Sequence, residues 1–176
     1  MDMINMNSLI VWLHVFVGII WIGLLYYFNF VQVPAVAKAT ADTDGPGPAA
    51  INKYIAPRAL AWFRYGALLT WLTGAAALQI VWGEVGGIHG AFMLNDSLRI
   101  IGIGAWLGTI MLLIVWGVIW PNQKKILGLG GRQASDEEKA KAKKIALMAS
   151  RTNTLLSIPM LMCMVGGGMG HGLPFF

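Results

Sequence analysis

Apolar residues gather in four long runs separated by three more polar stretches. The first run extends from about Leu9 to Val31 and carries no charge. The second extends from about Ala59 to Trp82 and is broken only by Arg64. The third covers about Leu98 to Trp120, with Arg99 at its edge, and the fourth about Thr152 to Gly170. A bilayer-crossing helix needs about 20 mostly apolar residues. The pattern therefore predicts an all-α integral membrane protein, a bundle of four transmembrane helices at about 9–31, 59–82, 98–120 and 152–170. It reads as one transmembrane domain over 1–176.

Local signals place helix ends. Pro57 suits the first turn of the second helix, where its missing N–H costs nothing. Pro121 with Asn122 predicts the end of the third. Ser135 and Glu138, three apart, read as a capping box. They start a lysine-rich amphipathic helix at about 136–151 that leads into the fourth run. Pro159, inside that run, removes the bond to the Leu155 carbonyl and predicts a kink. Ala41–Pro48, ADTDGPGP, reads as a loop. Gly104 and Gly108, four apart, invite close approach of another helix.

Charge then sets an orientation. All thirteen basic residues except Arg99 lie in or beside the first and third polar stretches. The positive-inside rule puts those stretches in the cytoplasm and both termini on the other side, the periplasm of a bacterium. The leader MDMINMNS has no Lys or Arg, so the first run reads as a span and not as a cleavable signal. Composition agrees: the chain is 57% hydrophobic and 12% charged, where a soluble domain has roughly twice that charged share. The net charge of +5 reads as attraction to anionic lipid and not to nucleic acid. Trp12, Trp82, Trp106, Trp116 and Trp120 are candidate interface anchors. The single cysteine, Cys163, excludes a CxxCH site and with it covalent c-type haem.

Candidate chemistry is sparse. All three histidines, His14, His89 and His171, fall toward the outer side. His14 lies about 7–8 Å inside the first run at 1.5 Å per residue. An ionisable group at that depth is a functional candidate by default. Gly18, one turn on, leaves space beside His14 for a flat ring, so His14 and Gly18 with His171 are candidates for a b-type haem. The plainer alternative is a helix-to-helix hydrogen bond from His14. His89 reads as a solvated loop residue. Met160, Met162, Cys163, Met164 and Met169 approach His171 and form a weaker copper(I) candidate; no other metal site is predicted. At the basic ends, Asn29, Arg64, Arg151 and Asn153 are candidates for an anion or quinone site. Snorkelling to headgroups is the alternative there.

The stretches LHVFVGIIWIGLLYYFNFVQ (Leu13–Gln32), PRALAWFRYGALLTWLTG (Pro57–Gly74), IGAWLGTIM with IWPNQKKIL (Ile103–Leu127) and ASRTNTLLSIPML (Ala149–Leu161) resemble the membrane domain of bacterial membrane-bound urate oxidases, the urate hydroxylases. The resemblance touches all four runs. It implies a relation to enzymes that oxidise urate and pass electrons to a c-type cytochrome domain at their C-terminus. This chain reads as a shortened form, with no room for that cytochrome. Where a histidine is expected just before the IGA…GTIM stretch, it has Gly102. His171 with Pro174 resembles the family's terminal His-aromatic-Pro pattern. A slighter likeness, to four-helix protoporphyrinogen oxidases and copper-resistance membrane proteins, rests on His14, Trp21 and Gly23.

The resulting expectation is a bacterial inner-membrane redox module or subunit. It binds a b-type haem or quinone and passes electrons to a separate c-type cytochrome, among other membrane subunits. The alternative is a non-catalytic accessory subunit of a respiratory or photosynthetic complex. A third reading is catalysis on urate or a porphyrinogen, with Arg64 and Arg151 holding the anion. Whether the chain is itself an enzyme stays open at this level.

Overall fold

The computed structural model describes residues 5–131 and 134–168, and those residues are mostly helical with no strand among them. Among the described residues the main elements are four long helices and one short one: α1 (Met6–Ala41), α2 (Ile51–Val85), α3 (Gly87–Phe92), α4 (Asp96–Leu127) and α5 (Asp136–Gly168). Helices α1, α2 and α4 are long and apolar enough to cross a membrane. The fourth expected span lies in α5 up to Gly168, where the described residues end, and it is not among those three.

Three helices are longer than their apolar runs, and each runs through a proline; Pro57 opens the α-helical stretch Ala56–Trp82 as expected, whereas Pro121 does not end its helix. α1 continues past Val31 to Ala41, α2 begins before Pro57 at Ile51, and α4 passes Pro121 to reach Leu127. Each of these prolines stands one residue beyond a widened π-helical turn: Tyr27–Gln32 before Pro34, Ile51–Ile55 before Pro57, and Val115–Ile119 before Pro121. In these turns Val33 donates to the Phe28 carbonyl, Ala56 to Ile51 and Trp120 to Val115, five residues back. A proline ring in a regular helix clashes with the carbonyl four residues earlier. Here that carbonyl sits inside the widened turn, so the chain can stay helical. Pro159 has no such turn before it, yet α5 runs on through it to Gly168.

Other ends match their local signals. Ser135 N–H donates to Glu138 Oε2 at 2.9 Å, and Glu138 N–H donates to Ser135 Oγ at 3.2 Å. That reciprocal pair is a capping box. The amphipathic segment and the segment after it form one unbroken helix. α4 ends at Gly128 with φ 63°, a left-handed position that suits glycine, where its N–H reaches the Lys124 carbonyl.

The chain forms two compact units, and each long helix contributes a stretch to both. The first comprises Met1–Ile19, Ala67–Leu112 and Leu155–Phe176. Its core is Leu78, Ala91, Leu98 and Ile101, with Trp82, Ile88, Ala105 and Met164 packed against them. The second comprises Ile20–Gly66 and Leu113–Thr154. Its buried residues include Trp21, Leu25, Phe63, Val115 and Ile119. Phe28 and Phe63 meet edge to face at 5.5 Å.

Polarity runs opposite to that of a soluble bundle. Leu155 is 70% exposed and Ile19 67%, while Asn153 and Ser157 are fully buried. Water would penalise so much exposed aliphatic surface, whereas lipid does not. The division into units also separates the charges. Among the described residues, the basic ones except Arg99 belong to the second unit, and His14 and His89 belong to the first.

Candidate functional site

In the first unit His14, on α1, lies against α2. Its Nδ1 is 2.9 Å from the Thr70 carbonyl oxygen and 3.4 Å from Thr73 Oγ1. A carbonyl can only accept, so Nδ1 carries the proton and donates it. Thr73 Oγ1 in turn donates toward the carbonyls of Leu69 at 2.7 Å and Thr70 at 3.1 Å. The imidazole is held in one tautomer, with Nε2 as the nitrogen that offers a lone pair. This is the arrangement by which proteins orient histidine ligands, with the far N–H tied to a carbonyl.

Glycine makes the fit possible, though at Gly74 more than at Gly18. A Cβ placed on Gly74 would lie 2.8 Å from His14 Cε1 and 3.1 Å from Nδ1. The imidazole therefore lies directly on the α2 backbone. A Cβ on Gly18 would meet Thr70 Cγ2 at 3.7 Å, an ordinary contact. His89 is exposed, as expected, but on the short helix α3 instead of a loop. His171 and Met169 lie outside the described residues, so neither the second haem ligand nor the full copper candidate can be placed. Among the described residues no group of three or more His, Cys, Asp or Glu could hold a metal ion. A haem iron needs only one or two protein ligands.

Helices α4 and α5 approach closely in the same unit. A Cβ on Gly104 would lie 3.0 Å from Cys163 Cβ and 3.2 Å from Met164 Cε. One on Gly108 would meet nothing within 4 Å, so only the first of the two glycines has the expected role. Gly102 is buried, and any side chain there would overlap the Ala91 carbonyl of α3. Local packing therefore excludes a histidine at position 102 unless α3 moves.

The basic-end candidates do not form one cluster in the contacts they make. Asn29 Nδ2 donates to the Leu25 carbonyl at 2.9 Å and to Ser150 Oγ at 2.7 Å, tying α1 to α5 next to Arg151. Arg151 is exposed and Asn153 is buried. Arg64 instead faces aromatic rings. Its guanidinium carbon lies 3.8 Å from the Trp120 ring centre, 4.5 Å from Tyr65 and 5.1 Å from Trp116. Sequence reasoning grouped Arg64 with amides and missed these rings. The 116, 120, 124 spacing on α4 was the available signal, since it puts Trp116, Trp120 and Lys124 on one face. For His14 the missed partners are Thr70, Thr73 and Gly74, which share one face of α2.

No curated protein and no solved structure matches the chain. A family model does match part of it, from His89 in α3 through α4 and α5 to His171. It includes Gly102 but not His14 or Arg64. Over residues 89–171 the chain resembles the urate oxidase N-terminal family.

Proposed function

We propose that this chain is a redox module of a bacterial inner membrane, related to the urate oxidase membrane domain, in which His14 Nε2 would hold the iron of a b-type haem. The observation that carries this reading is the His14 hydrogen bond to the Thr70 carbonyl. A histidine inside a membrane-spanning helix, locked with Nε2 as its lone-pair nitrogen, fits the ligand chemistry of haem iron. His171 is the proposed second ligand. When bound, the haem would accept and donate one electron at a time. The protein's part is to fix the imidazole through Thr70, seat it against Gly74, and deliver electrons to a separate c-type cytochrome.

The topology proposed with this reading has four spans with both termini periplasmic. α5 serves as the fourth span, supported by its exposed Leu155, Ile158 and Val165 and its buried Asn153 and Ser157. A quinone is the alternative redox partner. Asn29 Oδ1 and Gln32 Oε1 are buried without a hydrogen bond among the described residues, and such acceptors suit a quinol hydroxyl.

The test is an absorption spectrum of the full chain, purified from a haem-supplied host and taken oxidised and then reduced with dithionite. A Soret band with a b-type α band on reduction is the expected result. A colourless preparation overturns haem binding. A second reading, an accessory subunit of a larger redox complex, draws on the family match falling outside α1 and His14. Purification without haem, but always with the same larger membrane complex, would favour it.

A further inference from the structure

We propose that Arg64, Trp116, Trp120 and Lys124 form a binding site for the phosphate headgroup of an anionic phospholipid. The cluster lies in the second unit and is independent of His14. It offers donors and positive charge. Arg64 Nε is buried with no hydrogen-bond partner among the described residues, and so is the indole Nε1 of Trp116. A buried donor left unmade is costly, and here two stand in one group.

Charge points the same way. The Arg64 guanidinium lies 3.8 Å from the Trp120 ring centre and the Lys124 ammonium 5.8 Å from that same ring. Two cations thus share one indole. Among the described residues the ion pairs are Arg99 with Asp96 and Lys139 with Asp136, so neither cation of the cluster meets a carboxylate. A ligand with several anionic oxygens would satisfy both orphan donors and offset both charges. A guanidinium fork matches phosphate in shape as well as charge.

The surroundings favour a lipid over free phosphate. Trp116 and Trp120 close the apolar run of α4, and Lys124 and Lys125 follow within a turn or so. That order, apolar then aromatic then basic, marks headgroup depth on the cytoplasmic side. Trp116 lies within the π-helical turn and Trp120 caps it. Such turns re-aim side chains and recur at functional sites. One turn toward the apolar run, Leu113 is 64% exposed, and Tyr65 beside Arg64 is 50% exposed. These give an acyl chain an apolar track that inorganic phosphate would not need. A zwitterionic headgroup would bring its own ammonium to two cations already unpaired, so an anionic lipid is the better fit.

Native mass spectrometry of the full chain in detergent, titrated with phosphatidylglycerol, tests this. Phosphatidylcholine and inorganic phosphate serve as the comparison probes. One saturable phosphatidylglycerol site is expected, with phosphatidylcholine bound more weakly and excess phosphate unable to displace the lipid. Arg64→Gln should weaken that site about tenfold, the scale of one charge-assisted hydrogen bond. Trp116→Phe keeps the ring, removes one donor, and should weaken it about threefold while folding is undisturbed. Lys143→Gln with Lys144→Gln, which removes two exposed charges of α5, should leave it within about twofold. If Arg64→Gln and Trp116→Phe bind phosphatidylglycerol as the unmodified chain does, the site is wrong. If inorganic phosphate displaces the lipid, the pocket takes a small anion and the lipid assignment fails. Should Arg64→Gln not fold, Trp116→Phe alone decides.

Discussion

Gly18 lies one turn from His14 on α1 and Gly74 lies against its ring, yet replacing each with alanine should have opposite effects. Alanine in a helix interior is favoured over glycine by about 1 kcal/mol. At Gly18 the new methyl would sit 3.7 Å from Thr70 Cγ2, with nothing nearer, so most of that gain should be realised. At Gly74 the methyl would stand 2.8 Å from His14 Cε1. An ordinary carbon–carbon separation is about 3.5–4.0 Å, so the ring must retreat by about 0.7 Å or more. Its Nδ1 is only 2.9 Å from the Thr70 carbonyl, and a retreat of that size takes the bond outside hydrogen-bonding range. The loss of that bond is about 1 kcal/mol, and overpacking adds about 1–3 kcal/mol. Against the propensity gain, Gly74→Ala should destabilise by about 1–3 kcal/mol. The assay is reversible unfolding in dodecyl maltoside titrated with sodium dodecyl sulfate, followed by tryptophan fluorescence. In a His14→Ala background the Gly74→Ala penalty should vanish, since the clashing ring is gone. Equal effects of Gly74→Ala in both backgrounds would refute the packing argument, as would Gly18→Ala and Gly74→Ala shifting stability together.

Three further outcomes follow from other contacts. Trp71 Nε1 donates to Thr109 Oγ1 at 2.9 Å, joining α2 to α4; Thr109→Val should cost about 1 kcal/mol in the same unfolding assay, and Trp71→Phe should add little to it. Ser135→Ala should cost the start of α5 about 1 kcal/mol, seen as faster amide hydrogen exchange over Asp136–Lys139 with the remainder of the helix unchanged. Reporter fusions placed after Gly45 and Gly130 should be active only as cytoplasmic reporters, and one after Gly86 only as a periplasmic reporter; the reverse pattern would overturn the orientation drawn from the lysines and arginines.

The elements legible in sequence were those written in local chemistry. Ser135 and Glu138 read correctly because a capping box needs only three intervening bonds and no tertiary partner. The apolar runs of α1, α2 and α4 read correctly because lipid selects them by length and hydropathy alone. Pro57 was placed correctly in the first turn of the α-helical stretch Ala56–Trp82, but the π-helical turn before it was not foreseen. The helix end at Pro121 was misread because such a turn lets a proline stay inside a helix, and no single residue announces it. At the candidate site, His14 was visible as an ionisable group in an apolar run. Its attachment to Thr70 and Gly74 was not, because which faces of α1 and α2 meet is a property of packing. The same holds for Arg64, which the sequence reading grouped with amides at the basic helix ends and whose neighbours in space are aromatic rings.

The central claim is that His14 Nε2 ligates haem iron, and cavity rescue tests it most directly. His14→Gly should abolish the Soret band of the purified chain, and added imidazole should restore it, because free imidazole supplies the missing nitrogen without repairing any covalent contact. A Soret band that persists unchanged in His14→Gly, with or without imidazole, would contradict the assignment of His14 as a ligand.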